Sequence, residues 1–328
     1  MCIGSAMLET VKSLIVVSRP EFLPANLASL VTGLAWNVIT SSVLTSEFAA
    51  LLILSFCTIT AVSAFGAQVN SLSDYDLDIN DATKKRLVKA MDTLNRKIIK
   101  RTVIIEFLLS AVLISLMMAI TWKPVLLLLW AAGFFLGYAY SASPLRFKAR
   151  SWLALISLVL VLCFLPLLFV AFTFTSEINP LFIVFLFGQA LTIYAVIIPT
   201  EIRDYFGDKA VGVETFTVRL GLVKASMLSI ILLTAGGLLS GSAFFFRLVL
   251  GLQPIFSISL LAIAVADVTV LREYWKLYAL SKKHTASNNK SMAEDIVTIA
   301  SHNPKWINLV MQATVFVSII LLVSRLLS

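Results

Sequence analysis

Charge is the scarcest commodity in this sequence: Asp, Glu, Lys and Arg make up 13% of its 328 residues, against 59% hydrophobic. A water-soluble domain carries about a quarter charged residues. An ordinary cytosolic enzyme is therefore excluded, and lipid must be the main solvent. Estimates of domain number from length belong to soluble folds and do not transfer. Cysteine is scarce as well. Cys2, Cys57 and Cys163 are odd in number, lack metal-ligand spacing and read as small hydrophobes, two of them inside apolar runs. The two histidines, His284 and His302, fall in the polar stretch 281–305 and read as solvated loop residues. No short apolar stretch follows a basic start, so no cleavable signal peptide is expected and the first membrane helix would serve as its own insertion signal.

What the chain has in abundance is long apolar runs. A hydrocarbon core of about 30 Å needs roughly 20 apolar residues per helical crossing. Nine such runs are present, at about 22–41, 48–69, 101–121, 124–142, 152–174, 181–200, 223–246, 253–272 and 306–327. The expected fold is all-α, a polytopic membrane protein of about nine transmembrane helices forming one domain over 1–328. With nine crossings, every Lys and Arg except Lys123, Arg247 and Arg325 lies on the side of the N-terminus and of the loops after the even-numbered runs. Positive residues stay on the cytoplasmic side. This places the N-terminus and the long polar loops in the cytoplasm, in a cell membrane, and accounts for the net charge of +8 without nucleic acid.

Acidic residues gather at two places. After the second run the chain reads N-S-L-S-D-Y-D-L-D, and Asn70, Asp74 and Asp78 are spaced to share one helix face. After the sixth run it reads E-I-R-D-Y-F-G-D, and Glu201, Asp204 and Asp208 again share a face. Asp74 to Asp204 and Asp78 to Asp208 are both 130 residues apart, which hints at an internal four-helix duplication. Like charges on one face repel, and charge beside lipid is costly, so such clusters are usually functional. Hard oxygen ligands suit Mg²⁺, which takes one or two carboxylates together with substrate phosphates. The expected metal ligands are Asn70, Asp74, Asp78, Glu201, Asp204 and Asp208, with the four aspartates as the catalytic set. Facing each other, they would hold two or three ions around one diphosphate.

Basic residues accompany both clusters. Lys84 follows the first and Arg203 interleaves the second, and phosphate oxygens favour such donors. Sorting of positive charge to one face would by itself put bases there too. Tyr140-Ser141-Ala-Ser-Pro-Leu-Arg146-Phe-Lys148 closes the fourth run, where it also reads as an interfacial anchor, and Arg19-Pro20 precedes the first.

Together these elements resemble the UbiA superfamily of intramembrane prenyltransferases. The family has nine transmembrane helices, an N-x-x-x-D-x-x-x-D motif after helix 2, a D-x-x-x-D motif after helix 6, an Arg-Pro before helix 1 and a Tyr-Ser…Pro-Leu-x-x-Lys element after helix 4. Asp204 to Gly221, with Gly207, Asp208, Gly212, Thr215, Val218, Arg219, Leu220 and Gly221, resembles its G-D-x-x-x-G-x-x-T-x-x-V-R-L-G signature. The resemblance implies a central cavity opening to the cytoplasmic side and binding Mg²⁺–prenyl diphosphate. It further implies that Tyr140, Ser141, Arg146 and Lys148 contact the diphosphate, that Arg19 lies near the polar mouth, and that an acceptor attacks the allylic cation left by ionisation. The sequence departs from the common pattern at Ser71, over Lys84–Ala90 and at Glu201. The acceptor therefore stays open among an aromatic quinone precursor, a glyceryl-phosphate lipid precursor and another isoprenoid. The rival readings are an ion-coupled secondary transporter, for which internal repeats are common, and a noncatalytic membrane scaffold.

Overall fold

The computed structural model describes residues 2–37, 46–79, 84–210, 212, 214–251, 258–287 and 289–327, and no strand occurs among them. In lipid each backbone N–H and C=O must find its partner within the protein, and a helix supplies those partners locally. The helices are α1 (Cys2–Val17), α2 (Leu23–Asn37), α3 (Ser46–Asp78), α4 (Lys85–Thr121), α5 (Pro124–Ser141), α6 (Ser151–Val159), α7 (Leu165–Phe174), α8 (Pro180–Ala210), α9 (Phe216–Leu220), α10 (Leu222–Gly251), α11 (Leu261–Ser287), α12 (Lys290–Ala300) and α13 (Asn303–Leu327). A π-helical turn, Leu160–Phe164, joins α6 to α7.

Among the described residues, seven helical stretches are long and apolar enough to cross a membrane, and an eighth is counted if α1 and α2, bent by 47°, form one crossing. The chain is an integral membrane protein. The count of nine is not confirmed among the described residues. The expected run at 253–272 begins on residues outside the described ones. Its remainder lies on α11, where Asp267, Arg272, Glu273 and Lys276 interrupt the apolar sequence.

Two stretches expected as polar loops are helical instead. Within 281–305, α11 continues to Ser287 and α12 follows, with Ile296 and Ala300 buried against Ile202 and Leu277. Between the second and third runs, α4 starts at Lys85, well before the apolar part. Leu87, Ala90, Met91 and Leu94 recur at helical spacing and pack on Leu14 and Val17 of α1 and on Leu72 and Tyr75 of α3. Short amphipathic helices are hidden by their charge when only long apolar runs are sought. At Asn95, where φ is 52° and ψ 161°, α4 kinks; its side chain accepts from the N–H groups of Lys97 (2.9 Å) and Ile98 (3.1 Å), capping the segment that follows.

α8 and α10 pack closely against each other. Gly188 and Gly236 let the two backbones touch, as small residues do at membrane helix interfaces. At the end away from the acidic motifs, Trp36 stacks on Phe185 with centroids 5.0 Å apart and also packs on Phe182 and Phe244. This aromatic cluster ties α2, α8 and α10 together. A Cβ at Gly236 would stand 2.7 Å from the Gly188 carbonyl oxygen, whereas a Cβ at Gly241 would meet nothing within 4 Å. Gly236→Ala should therefore cost about 1–3 kcal/mol and lower the melting temperature of detergent-purified protein, while Gly241→Ala should leave it unchanged.

Candidate functional site

Antiparallel threading brings the polar ends of six segments to one end of the bundle. Asn70, Asp74 and Asp78 lie on the last turns of α3, and Tyr140 and Ser141 end α5. Glu201, Asp204 and Asp208 lie on the last turns of α8, and Lys84 begins α4. Arg19 precedes α2, and Arg146 and Lys148 stand in the connection to α6. Each acidic motif is helical throughout, as the spacing of its residues requires.

The first motif is held by cations and hydroxyls. Lys148 Nζ is ion-paired with Asp74 Oδ1 and lies 3.5 Å from Asn70 Oδ1, while Arg146 Nη2 stands 3.9 Å from the same Asp74 oxygen. Ser141 Oγ donates to Asn70 Oδ1 at 2.7 Å. Lys84 Nζ donates to Asp78 Oδ1 at 2.6 Å, and Asp78 is only 2% exposed. Burial pushes the Lys148 ammonium below its ordinary lysine value, and the neighbouring Asp74 opposes part of that shift. Arg19 and Arg146 both have left-handed backbone, φ 53° and 36°. Non-glycine residues persist in that region only where their surroundings over-determine it.

The second motif is arranged differently. Asp204 receives two bonds from Arg203, from Nε and Nη2, each 2.8 Å. Glu201 Oε2 accepts from the backbone N–H of Thr217 at 3.1 Å and from its hydroxyl at 2.8 Å, which fastens the end of α8 to α9.

A cavity of about 540 Å³ opens beside these groups, and Arg19, Asn70, Asp74, Lys84, Tyr140 and Lys148 line its polar end. Asp78, Ser141 and Arg146 are not part of that lining, and α8 contributes Thr200 rather than Glu201, Arg203, Asp204 or Asp208. Away from the polar end the walls are largely apolar, with Ile59, Val62, Leu129, Val161, Leu165 and Phe169 among them. Gly66 and Gly137 face each other across α3 and α5, each leaving space that a larger side chain would occupy.

The donor set fits a hard cation only when a phosphate completes the shell. Among the described residues no group of three or more His, Cys, Asp and Glu side chains stands close enough to hold a metal by itself. Mg²⁺ does not require one, since it keeps waters and shares its shell with substrate phosphate. Asp74 and Asn70 on the cavity wall offer carboxylate and amide oxygens for that purpose.

Sequence reading missed the supports of this site. At Pro199, which interrupts the helical bonding of α8, Asn303 on α13 donates to Val196 O and, at 2.8 Å, to Thr200 Oγ1. Tyr274 on α11 donates to Asn303 Oδ1 at 3.2 Å. Gln68 donates to Ser18 at 2.9 Å and to Glu106 at 2.6 Å, bracing the bend before Arg19. A proline inside an apolar run and a glutamine and glutamate inside two others were the available signals. Their partners, tens of residues away, were not legible.

The UbiA prenyltransferase family model matches residues 27–292. The digeranylgeranylglyceryl phosphate synthase structure superposes with a TM-score of 0.64 at 15% identity, over 98% of this chain and 100% of that one. A UbiA homologue from Archaeoglobus fulgidus bound to GPP and Mg²⁺ superposes with a TM-score of 0.56 at 18% identity, over 91% and 99% of the two chains. The same homologue in another structure gives 0.60 at 15% identity, over 95% and 99%. At these identities the likeness is one of fold. No functionally curated protein matches the sequence.

Proposed function

This chain belongs to the UbiA prenyltransferase family, and on that premise we propose that it transfers a polyprenyl group from a prenyl diphosphate to a lipophilic or amphiphilic acceptor, with Mg²⁺ as cofactor. The observation that carries the proposal is the cavity itself. Carboxylate, amide and ammonium groups crowd one end, and mostly apolar side chains clothe the rest. That division suits a diphosphate head with a hydrocarbon tail, and the A. fulgidus relative bound to GPP and Mg²⁺ is consistent with it.

In this reading Lys148, Lys84 and Arg19 bind diphosphate oxygens, and Ser141 and Lys148 hold Asn70 in place. Asn70, Asp74, Asp204 and Asp208 would hold Mg²⁺, while Asp78 positions Lys84 and Glu201 positions α9. When bound, the ion supplies Lewis-acid neutralisation of the diphosphate as a leaving group. The tail lies along the apolar wall, which excludes water from the allylic cation. Tyr140 lines the cavity, and the π face of its ring would favour positive charge on the reacting carbon. Family membership leaves the transporter and scaffold readings without support.

The test is diphosphate release from a radiolabelled prenyl diphosphate by purified protein, with Mg²⁺ and a panel of aromatic and glyceryl-phosphate acceptors. Asp74→Ala and Asp204→Ala should each lower the rate roughly a hundredfold or more while the protein stays folded. Wild-type turnover persisting in excess EDTA would sink the metal-assisted mechanism. The proposed orientation places the site on the cytoplasmic face. A cysteine introduced at Lys283 should then react with a membrane-impermeant maleimide in inside-out vesicles but not in right-side-out ones, and the reverse pattern would invert the topology.

A further inference from the structure

Glu106 is a carboxyl group that the diphosphate site does not use, and it stands inside the third apolar run. Its neighbours Ile104, Ile105, Leu108 and Leu109 on α4 are exposed, while its own side chain turns to α3 and meets Gln68. Neither Gln68 nor Glu106 lines the cavity. Gln68 is 0% exposed. Its amide nitrogen donates to Ser18 Oγ at 2.9 Å and to Glu106 Oε1 at 2.6 Å, which uses both of its N–H groups. Two atoms are left over. Gln68 Oε1 and Glu106 Oε2 are both buried, and neither has a hydrogen-bond partner among the described residues.

Neighbouring groups do not answer them. The hydroxyls one turn away on α4, those of Thr102 and Ser110, give their protons to Ile98 O and Phe107 O. None of the ion pairs among the described residues includes Glu106. An ionised carboxylate here would be a charge beside lipid without a counter-charge, a costly arrangement in a membrane helix. Both leftover atoms are acceptors as long as Glu106 is ionised, and two acceptors cannot bond each other. A single proton on Glu106 removes the charge and turns Oε2 into a donor. Acid and amide then complete a ring of two hydrogen bonds, N–H to one carbonyl and O–H to the other. Exchanging the oxygen and nitrogen of the Gln68 amide leads to the same requirement. Its oxygen would then face Glu106 Oε1 at 2.6 Å, the length of an O–H···O bond, which needs a proton between them.

The pair sits where the cavity groups are anchored. Gln68 stands two residues before Asn70, and Ser18 one residue before Arg19. Asn70 and Arg19 both line the polar end of the cavity, and Arg19 holds a left-handed backbone there. We propose that Glu106 is kept as a neutral carboxylic acid in a closed pair with the Gln68 amide, and that this pair acts through Ser18 as a positioning element for Arg19. The consequence for substrate rests on the prenyltransferase reading, in which Arg19 binds a diphosphate oxygen; the acid–amide pair stands without it. Neutrality matters at this place. The pair ties down Ser18 without setting a further negative charge behind a guanidinium that must meet a diphosphate.

Two measurements on the full chain in maltoside detergent test this. The first is infrared spectroscopy of protein whose glutamates are isotopically labelled at the carboxyl carbon, wild type against Glu106→Gln, near neutral pH. The difference should contain the carbonyl stretch of one protonated acid and leave the carboxylate bands unchanged. A difference in the carboxylate bands overturns the neutral pair. So does a wild-type melting temperature that rises with sodium or potassium by an increment absent from Glu106→Gln, which would put a cation in place of the proton. The second measurement is affinity for geranyl diphosphate with Mg²⁺, read by quenching of tryptophan fluorescence, Trp130 being part of the cavity wall. Glu106→Gln, whose amide reproduces both bonds without charge, should bind within about twofold of wild type, and Glu106→Ala about tenfold more weakly. In an Arg19→Gln background Glu106→Ala should cost less than about twofold, because its effect runs through Arg19. Should Glu106→Ala fail to fold, Ser18→Ala, which cuts only the link to Arg19, takes its place in the same comparison. Equal losses in the two backgrounds would mean that Glu106 only holds the bundle together, and would overturn the positioning role. A tenfold loss in Glu106→Gln would show that charge is needed and overturn the neutral pair. Failure of wild type to bind geranyl diphosphate would instead count against the prenyltransferase reading and leave the pair to the infrared result.

Discussion

A carboxylate can stand at the edge of hydrocarbon only if a cation, a set of donors or water answers its charge. Asp74 is answered by Lys148, with Arg146 behind it, and the rest of the site is organised around that pair. It fastens the end of α3 to the connection after α5, and through Asn70 and Ser141 it fastens α3 to α5 itself. Lys148 is largely buried and prefers its charged form less than an ordinary lysine does. The carboxylate keeps it charged, and the ammonium keeps the carboxylate in place. In the proposed reaction an incoming diphosphate would meet Lys148 and Lys84 already paired with Asp74 and Asp78, so Mg²⁺ would supply much of the charge that answers it.

The helices around this pair are shaped by what surrounds them. Outside is lipid, and between helices no water is available to reward burial, so close approach depends on small residues. Gly188 and Gly236 draw α8 onto α10, and Gly66 and Gly137 leave room between α3 and α5. The same economy of side chains that packs one pair of helices opens a cavity beside another. Pro199 stands inside α8 just before its acidic turn, and Asn303, held by Tyr274, donates beside it to Val196 O and Thr200 Oγ1. The second acidic motif thus follows a helical segment that α13 braces from the side.

Much of this was legible in the sequence because membrane insertion is a one-dimensional problem. Apolar runs near 20 residues announced crossings, and the spacing of Asn70, Asp74 and Asp78 announced one helix face. The grouping of Arg19, Lys84, Tyr140 and Lys148 at one end followed from alternating crossings, and these four line the cavity. What was missed is amphipathic or broken. The first turns of α4 and all of α12 carry too much charge to register as apolar runs, although each buries one face. On α11, Asp267 and the charges after it interrupt the expected crossing.

The sequence alone determined that the chain is helical, that it lives in lipid, and which side chains could carry diphosphate chemistry. Those properties depend on composition and on neighbours within a few residues. Only the tertiary structure decided that Asp74, not Asp78, reaches the cavity, that Glu201 is engaged by Thr217, and that Asn26 and Ser157 lie on its wall. Each of these turns on which helix packs on which and at what rotation, as with Ser63 meeting Asn26 across 37 residues. A rotation of one helix by a third of a turn would move a group from the wall to the lipid, and local sequence does not record that angle.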